Sequence, residues 1–469
     1  MIREETKMNL RFDVESKPKF GQLCAFALQQ MLAIMAATIA VPMIIGNGLT
    51  PAAAMFGAGI GTIVYQLFTQ FKSPVFLGSS FAFLGSMSAA FAGGVSMSLG
   101  WLGLILGAAF AGLVYVVIPI IVKYVGVNWL NKLMPPVIIG PTVAIIGLSL
   151  AGNAVGDLVK CDMGGSSYVA LICGLITLAV VMLCSVYGKK MGKLIPFIIG
   201  IGAGYVVAAL FTALGYATSN DALKVIDFSV FSKYMLSNGF SFSTFISLPD
   251  FTFVKAFSPE ALSEFNGSYL LTIFAAYVPV AFVVFAEHVA DHKNLSSIIG
   301  RDLLEKPGLN RTLLGDGIGS FAGALFGGCP NTTYGESIAC VAITGNASTI
   351  TIFAAAIGCL LFSFITPLVA LVDSIPSCVM GGVCMSLYGF IAVSGLKMLQ
   401  PVDLNDNHNL FVASVILIAG IGGLTISFGQ VTITSVACAL ILGILTNVML
   451  GSKKLASTEK EEEQDDQKA

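Results

Sequence analysis

Charge is scarce in this chain. Asp, Glu, Lys and Arg make up 11% of its 469 residues, and none occurs between Lys72 and Lys123. With mean hydropathy of +0.88, no region is polar enough to form a soluble domain, which excludes a soluble enzyme. Lys and Arg number 24 against 26 Asp and Glu, with no basic patch outside short loops, so nothing points to nucleic acid. The ten Cys form no C-x-x-C pairs and have no His at metal-ligand spacing; they read as small buried hydrophobes. Neither a metal site nor a cofactor is implied. Only Cys161 falls in a candidate outer loop, which excludes a disulfide framework. The acidic N-terminus is no cleaved signal peptide, so insertion relies on the first span. An intramembrane enzyme would need a metal triad or an activated nucleophile, and neither accompanies the acids.

What is present is hydrophobic length. A span needs about 20 apolar residues. Clear candidates are 24–45, 52–70, 99–122, 134–151, 167–186, 194–215, 269–290, 349–366, 409–428 and 430–450. Weaker ones, broken by Gly, Pro and Ser, are 76–94, 313–329, 332–346 and 376–395. Together they make fourteen, which puts both termini on one side. With that side cytoplasmic, every Lys and Arg except Lys160, Lys224, Lys233 and Lys255 falls inside, as the positive-inside rule requires.

The stretches LMPPVIIGPTVAIIGLSLAG (133–152) and SIPSCVMGGVCMSLYGFIAVSG (374–395) look like one element used twice. Pro135 and Gly140 match Pro376 and Gly381 at a common offset, which divides fourteen spans into two sevens. Seven is odd, so the second half enters the bilayer inverted, an architecture that recurs in carriers. The weak segments 73–94 and 327–346 then correspond. Each is expected to hold a short extended piece, Val75–Leu77 and Thr332–Tyr334, followed by a half-helix. Unwound backbone at membrane depth must line a cavity or be covered by protein. The alternative is a pair of kinked, Gly-rich packing helices. The polar connection from Tyr216 to Gly267 is too aromatic for a free linker and is either a cover for the outer mouth or a passive lid.

Three acids stand in apolar surroundings, where a carboxylate by default marks a pathway or ligand. Glu287 and Asp291 are i,i+4, on one helix face. In a medium of low polarity they should not both stay ionised, which suits a proton carrier. His288, about 100° around that helix, is either part of the polar set or a packing residue. Glu287 could instead be an interfacial acid at a helix end. Glu336 follows PNTTYG and opens the second half-helix. It is either a first-turn acid favoured by the helix dipole or an acceptor for ligand N–H groups. Gly335 would let backbone approach such a ligand, and Phe81 could cover a ring face. A flat ring with alternating N–H and C=O groups would fit.

The runs LGSSFAF (77–83), VVFAEHVADH (283–292), GGCPNTTYGESIACVAIT (327–344) and IPSCVMGGVCMSLYG (375–389) resemble the nucleobase–cation symporter-2 family, also called the nucleobase–ascorbate transporters. The likeness runs from Phe20 to Leu450 and is strongest to the uracil permeases within that family. It implies an all-α polytopic membrane protein with fourteen segments in two inverted sevens and short strands in segments 3 and 10. It implies a core domain (24–122 and 269–366), a gate domain (134–215 and 376–450), a cytoplasmic N-terminus (1–23), an outer loop (216–268) and a disordered cytoplasmic tail (451–469). Substrate contacts carry over to Glu287, Glu336, Phe81 and Gly335, with Ser337 beside them expected to join the substrate site; proton coupling is expected of Glu287, Asp291 and His288. The implied activity is import of uracil with protons at the cell membrane, with contacts to lipid and a homodimer through the gate domain. Xanthine, urate, a modified pyrimidine or an uncoupled uniport remain open.

Three departures from the family pattern stand out. Asp291, followed by His292, stands where a uracil permease usually has His. Gln29-Gln30 replaces Gln-His in the first span, and Ser337 and Ala339 replace Asn and Gly after the binding acid. The first two bear on coupling and base preference; Glu rather than Gln at 336 favours a pyrimidine.

Overall fold

The computed structural model describes residues 10–125, 134–189, 191–235, 244–428 and 431–466. Arg3, Lys7, Lys132, Lys190 and Lys468 of the inner set, and residues 236–243 of the outer loop, lie outside these. The chain is a helical bundle. Its main elements are α1 (Phe20–Ile45), α2 (Pro51–Phe68), β1 (Leu77–Ser79), α3 (Leu84–Ala90), α4 (Met97–Val125), α5 (Pro136–Ser149), α6 (Ala151–Leu158), α7 (Ser167–Tyr187) and α8 (Pro196–Ala217). The second half holds α9 (Gly267–Ile299), α10 (Leu309–Gly327), β2 (Asn331–Thr333), α11 (Gly335–Thr344), α12 (Thr349–Phe364), α13 (Thr366–Asp373), α14 (Ser377–Met398), α15 (Asn407–Ile421), β3 (Ile426–Phe428), β4 (Val431–Ile433) and α16 (Ser435–Asp466).

Among the described residues, eight helices are long and apolar enough to cross a membrane, and four shorter apolar ones accompany them. Three differences from the sequence reading have physical causes. The segment 376–395, ranked weak for its glycines, is one continuous helix, α14. Three of its four glycines, Gly381, Gly382 and Gly395, meet neighbouring backbone; a Cβ at Gly381 would stand 2.5 Å from the Leu158 nitrogen. Helix α9 runs past residue 290 to Ile299 and stops at Gly300, which takes a left-handed φ of 67°. Glu287 therefore lies about three turns inside the helix rather than closing it. Finally, α16 continues to Asp466 through the tail expected to be disordered. Beyond Gly451 the sequence has neither Gly nor Pro and is rich in Ala, Glu, Lys and Gln, which favour helix.

Local signals fix several helix starts. Thr50 caps α2, accepting from Ala53 N with Pro51 in the first turn. Asn266 caps α9 by accepting from Tyr269 N at 2.9 Å. The start of α14 is capped from a distant loop: Asp162 accepts from Ser377 N and Ser377 Oγ, both at 2.7 Å.

Small residues bring the helices together, as expected where apolar burial alone cannot drive association. Helices α2 and α10 touch along a stripe of glycines. A Cβ at Gly57 would stand 2.5 Å from Gly323 O, one at Gly61 2.7 Å from Gly319 O, and one at Gly327 2.5 Å from Ala53 O. The numbers rise on one helix as they fall on the other, so the pair is antiparallel. The two Pro–Gly stretches pack in the same manner. Gly140 faces Gly395 while Gly147 faces Tyr388, so α5 and α14 also run antiparallel.

The short strands obey the same rule. Leu77 pairs with Thr333, Gly78 with Thr332 and Ser79 with Asn331 in an antiparallel ladder. The first strand begins two residues later than expected and the second one residue earlier. Further bonds from Ser80 N to Pro330 O and from Tyr334 N to Phe76 O extend the contact. The Tyr334 ring lies over Gly78, where any side chain would collide with it.

Candidate functional site

The two-stranded ladder sits among α1, α2, α9 and α10, and each strand leads into a half-helix, α3 or α11. Strand β2 is anchored from below: Asn331 is buried and donates from Nδ2 to Gly57 O at 3.0 Å. Its amide fills the space left by Gly61 and Gly323. Thr62 Oγ1 donates to Leu77 O at 3.1 Å and accepts from Leu77 N at 2.9 Å, which fixes β1 to α2. Tyr334 OH donates to Ser79 O at 2.7 Å. Both strands of the ladder are thus tied to α2.

A cavity of about 600 Å³ opens beside this ladder. Glu287 and Asp291 from α9, Thr332 and Thr333 from β2, Gly335 and Glu336 from α11, and Phe81 after β1 form one wall. Val143 and Ile146 of α5, Phe197 of α8, and Leu387, Phe390 and Ile391 of α14 form the opposite, apolar wall. The ring of Phe81 meets Tyr388 edge to face across a 6.0 Å centroid separation. Towards one end the lining includes Lys193, Asn294, Ser394 and Met398. A few polar groups converging on one side of a largely apolar pocket is the usual form of a small-molecule site.

Glu287, Asp291, Glu336, Phe81 and Gly335 line the same cavity. Asp291 Oδ2 accepts from Thr333 Oγ1 at 2.6 Å, joining α9 to β2. A Cβ built on Gly335 would meet no atom within 4 Å, so this residue faces open space. Ser337 does not line the cavity. It is buried behind it, where its Oγ accepts from Phe76 N at 3.0 Å and from the Gln30 side-chain amide. His288 likewise points away, with Nδ1 at 2.7 Å from Asp316 Oδ2 and both side chains fully buried. His292 lies behind the wall too, with Nε2 2.7 Å from the Tyr65 hydroxyl and Nδ1 2.8 Å from His288 O.

Sequence reasoning overlooked Asp316, Thr333 and Lys193. Asp316 sits in the glycine-rich run GDGIGS of α10, and its isolation among apolar residues was a signal of the same kind as Glu336. Lys193 was counted only as an inner-loop charge, yet among the described residues it is the one basic side chain on the cavity wall.

A polytopic helical bundle whose paired, discontinuous segments place carboxylates on a central cavity is a membrane transporter rather than an enzyme. The fold agrees with the transmembrane domain of a cyanobacterium bicarbonate transporter, BicA, at a TM-score of 0.58, covering 93% of this chain and 100% of that one at 15% identity. The family model described as the permease family matches residues 21–428. The chain is similar to the uracil permease of Bacillus caldolyticus, 38% identical over 459 residues, covering 97% of this chain and 98% of that protein. It is also similar to the uracil permease of Bacillus subtilis (strain 168), at 35% identity, covering 96% and 97% of the two. The chain therefore belongs to this permease family, the nucleobase–cation symporter-2 family whose motifs it carries.

Proposed function

We propose that this protein imports uracil together with protons across the cell membrane by alternating access. One observation carries the reading: two paired, unwound segments bring Glu287, Asp291 and Glu336 to a single cavity whose other wall is apolar. Uracil carries ring N–H groups that carboxylates accept and carbonyl oxygens that first-turn N–H groups of α11 can meet, since these have no partner within their own helix. Phe81 covers a ring face and Gly335 leaves room for the base. A site that hydrogen-bonds its ligand rejects a mismatched base sharply, because the mismatch leaves a buried polar group unpaired.

The carboxylates at 287 and 291, one turn apart, share a proton whose uptake and release accompany the base. His288 is occupied by Asp316 and acts behind the wall, so exchange with the cavity falls to the two acids. Ser337 acts through Gln30 and the Phe76 backbone and positions the start of α11.

Fourteen membrane segments in two inverted sevens underlie the cavity. Three pairs of segments seven apart support this: α2 with α10, β1 with β2, and α5 with α14, each antiparallel. The core domain, 24–122 and 269–366, carries the polar wall. The gate domain, 134–215 and 376–450, carries the apolar wall and a homodimer contact. Both termini are cytoplasmic, and residues 216–268 form the outer loop. In this orientation Lys193, Asn294 and Met398 are at the inner side, so the cavity faces the cytoplasm.

Calorimetry on purified protein with a panel of nucleobases tests the assignment. Uracil binding more tightly than xanthine, urate or adenine is expected; tighter binding of a purine overturns it.

A further inference from the structure

Residues 10–19 precede the stretch matched by the family and are nevertheless woven into the bundle. Arg11 N and Phe12 N donate to Gly345 O at 2.7 and 3.1 Å, and Ala347 N donates to Phe12 O at 2.9 Å. Phe12 and Asn346 form a parallel bridge. Val14 O accepts from Thr349 N and Thr349 Oγ1, both at 3.1 Å, and Ser16 O accepts from Ser348 Oγ at 2.6 Å. The segment thus lies along the link between α11 and α12, hydrogen-bonded to it at four residues, Gly345, Ala347, Ser348 and Thr349. Val14 is fully buried in a cluster with Ile338 and Val341 of α11, Val75 and Leu77 of the first unwound segment, and Leu295 and Ile299 of α9. Two of these three elements, α11 and α9, carry every carboxylate on the cavity wall. Arg301, just past the end of α9, donates from Nη2 to Asp13 Oδ2 at 2.5 Å and from Nη1 to Glu15 Oε1 at 3.2 Å.

We propose that residues 11–16 are a positioning clasp for the binding site, fixing the helix of Glu336 to the helix of Glu287 and Asp291 from beneath. Half-helix α11 has ten residues, too few to hold its orientation by its own hydrogen bonding. Its C-terminal end is fixed by the clasp, through Gly345, and its inner face rests on Val14. The other end of the clasp is fixed to α9 by Arg301. A shift of α11 against α9 would separate the acceptors that a base must meet together, so the clasp acts on affinity rather than on the speed of gating. The probe for this role rests on the uracil reading.

Exposed ion pairs contribute little when one partner is simply truncated, so the test uses charge reversal in the full-length chain. Arg301→Asp sets three acids together and should release the clasp; Asp13→Arg in the same chain restores an opposite pair. In proteoliposomes, Arg301→Asp is expected to raise KM and Kd for uracil about threefold to tenfold, with Vmax within about twofold, and the double reversal to return both towards the parent. Val14→Ala, which changes no charge, should move KM in the same direction. Hydrogen exchange across residues 335–344 should quicken in Arg301→Asp and recover in the double variant, with no ligand present. Unchanged exchange, or a fall in Vmax at constant KM, overturns the clasp. Absence of uracil binding by the parent protein counts instead against the substrate assignment, and the exchange measurement still decides the clasp.

Discussion

Thr333 and Asp291 are joined by a hydrogen bond of 2.6 Å from Oγ1 to Oδ2, which links the second strand of the ladder to the helix that carries Glu287. A strand residue is thereby coupled to the acid one turn beyond Glu287. Because Thr333 holds one Asp291 oxygen, the other is left for Glu287, the cavity or a proton.

Asp291→Asn is expected to abolish proton-driven accumulation while leaving counterflow exchange of labelled uracil largely intact. Removing one of two neighbouring acids removes the like-charge repulsion that lets the pair hold a proton. Thr333→Val should weaken coupling in the same sense but less. Accumulation ratios measured with and without a protonophore check both, and a parental ratio in Asp291→Asn would leave Glu287 as the sole carrier.

Glu336→Gln exchanges an all-acceptor group for one with donors on one side. Uracil binding should weaken by about 1.5–3 kcal/mol, the size of a hydrogen bond to a charged group. Calorimetry reads this directly. Unchanged affinity would make Glu336 a first-turn structural acid.

Gly335 faces open cavity, so Gly335→Leu should fold with the parent's thermal stability yet lose uracil binding because the new side chain occupies the ligand's place. A thermal melt beside a binding titration separates the two effects. Retained affinity would place the base elsewhere in the cavity.

Gly323 is different. A Cβ there would collide with the Asn331 amide that anchors β2 to α2. Gly323→Ala should destabilise the protein by about 1–3 kcal/mol, the usual cost of overpacking. The lowered melting temperature should be accompanied by weaker binding, since β2 leads directly into Glu336.

The acids at 287, 291 and 336 were legible in sequence because each interrupts a long apolar run, and the like stretches Pro135–Gly140 and Pro376–Gly381 lie on two helices, α5 and α14, that pack antiparallel. The strands were located within two residues, because alternation is too short a signal to fix ends in a three-residue ladder. Which way a side chain points was not legible. His288 and Ser337 have the right chemistry and the right neighbours, yet tertiary partners, Asp316 and Gln30, draw them behind the wall. Lys193 lies far from α9 in sequence and reaches the cavity only through the packing of the bundle. The length of α9 was missed because ADHKNLSSII is polar but still helix-forming, and hydropathy reports membrane depth rather than helix length.

Uptake of labelled uracil into proteoliposomes, with and without an inward proton gradient, tests the central claim most directly. Saturable uptake that exceeds the external concentration under the gradient, and falls to simple equilibration when a protonophore is added, is the expected result. No saturable uptake under either condition would contradict proton-coupled uracil import.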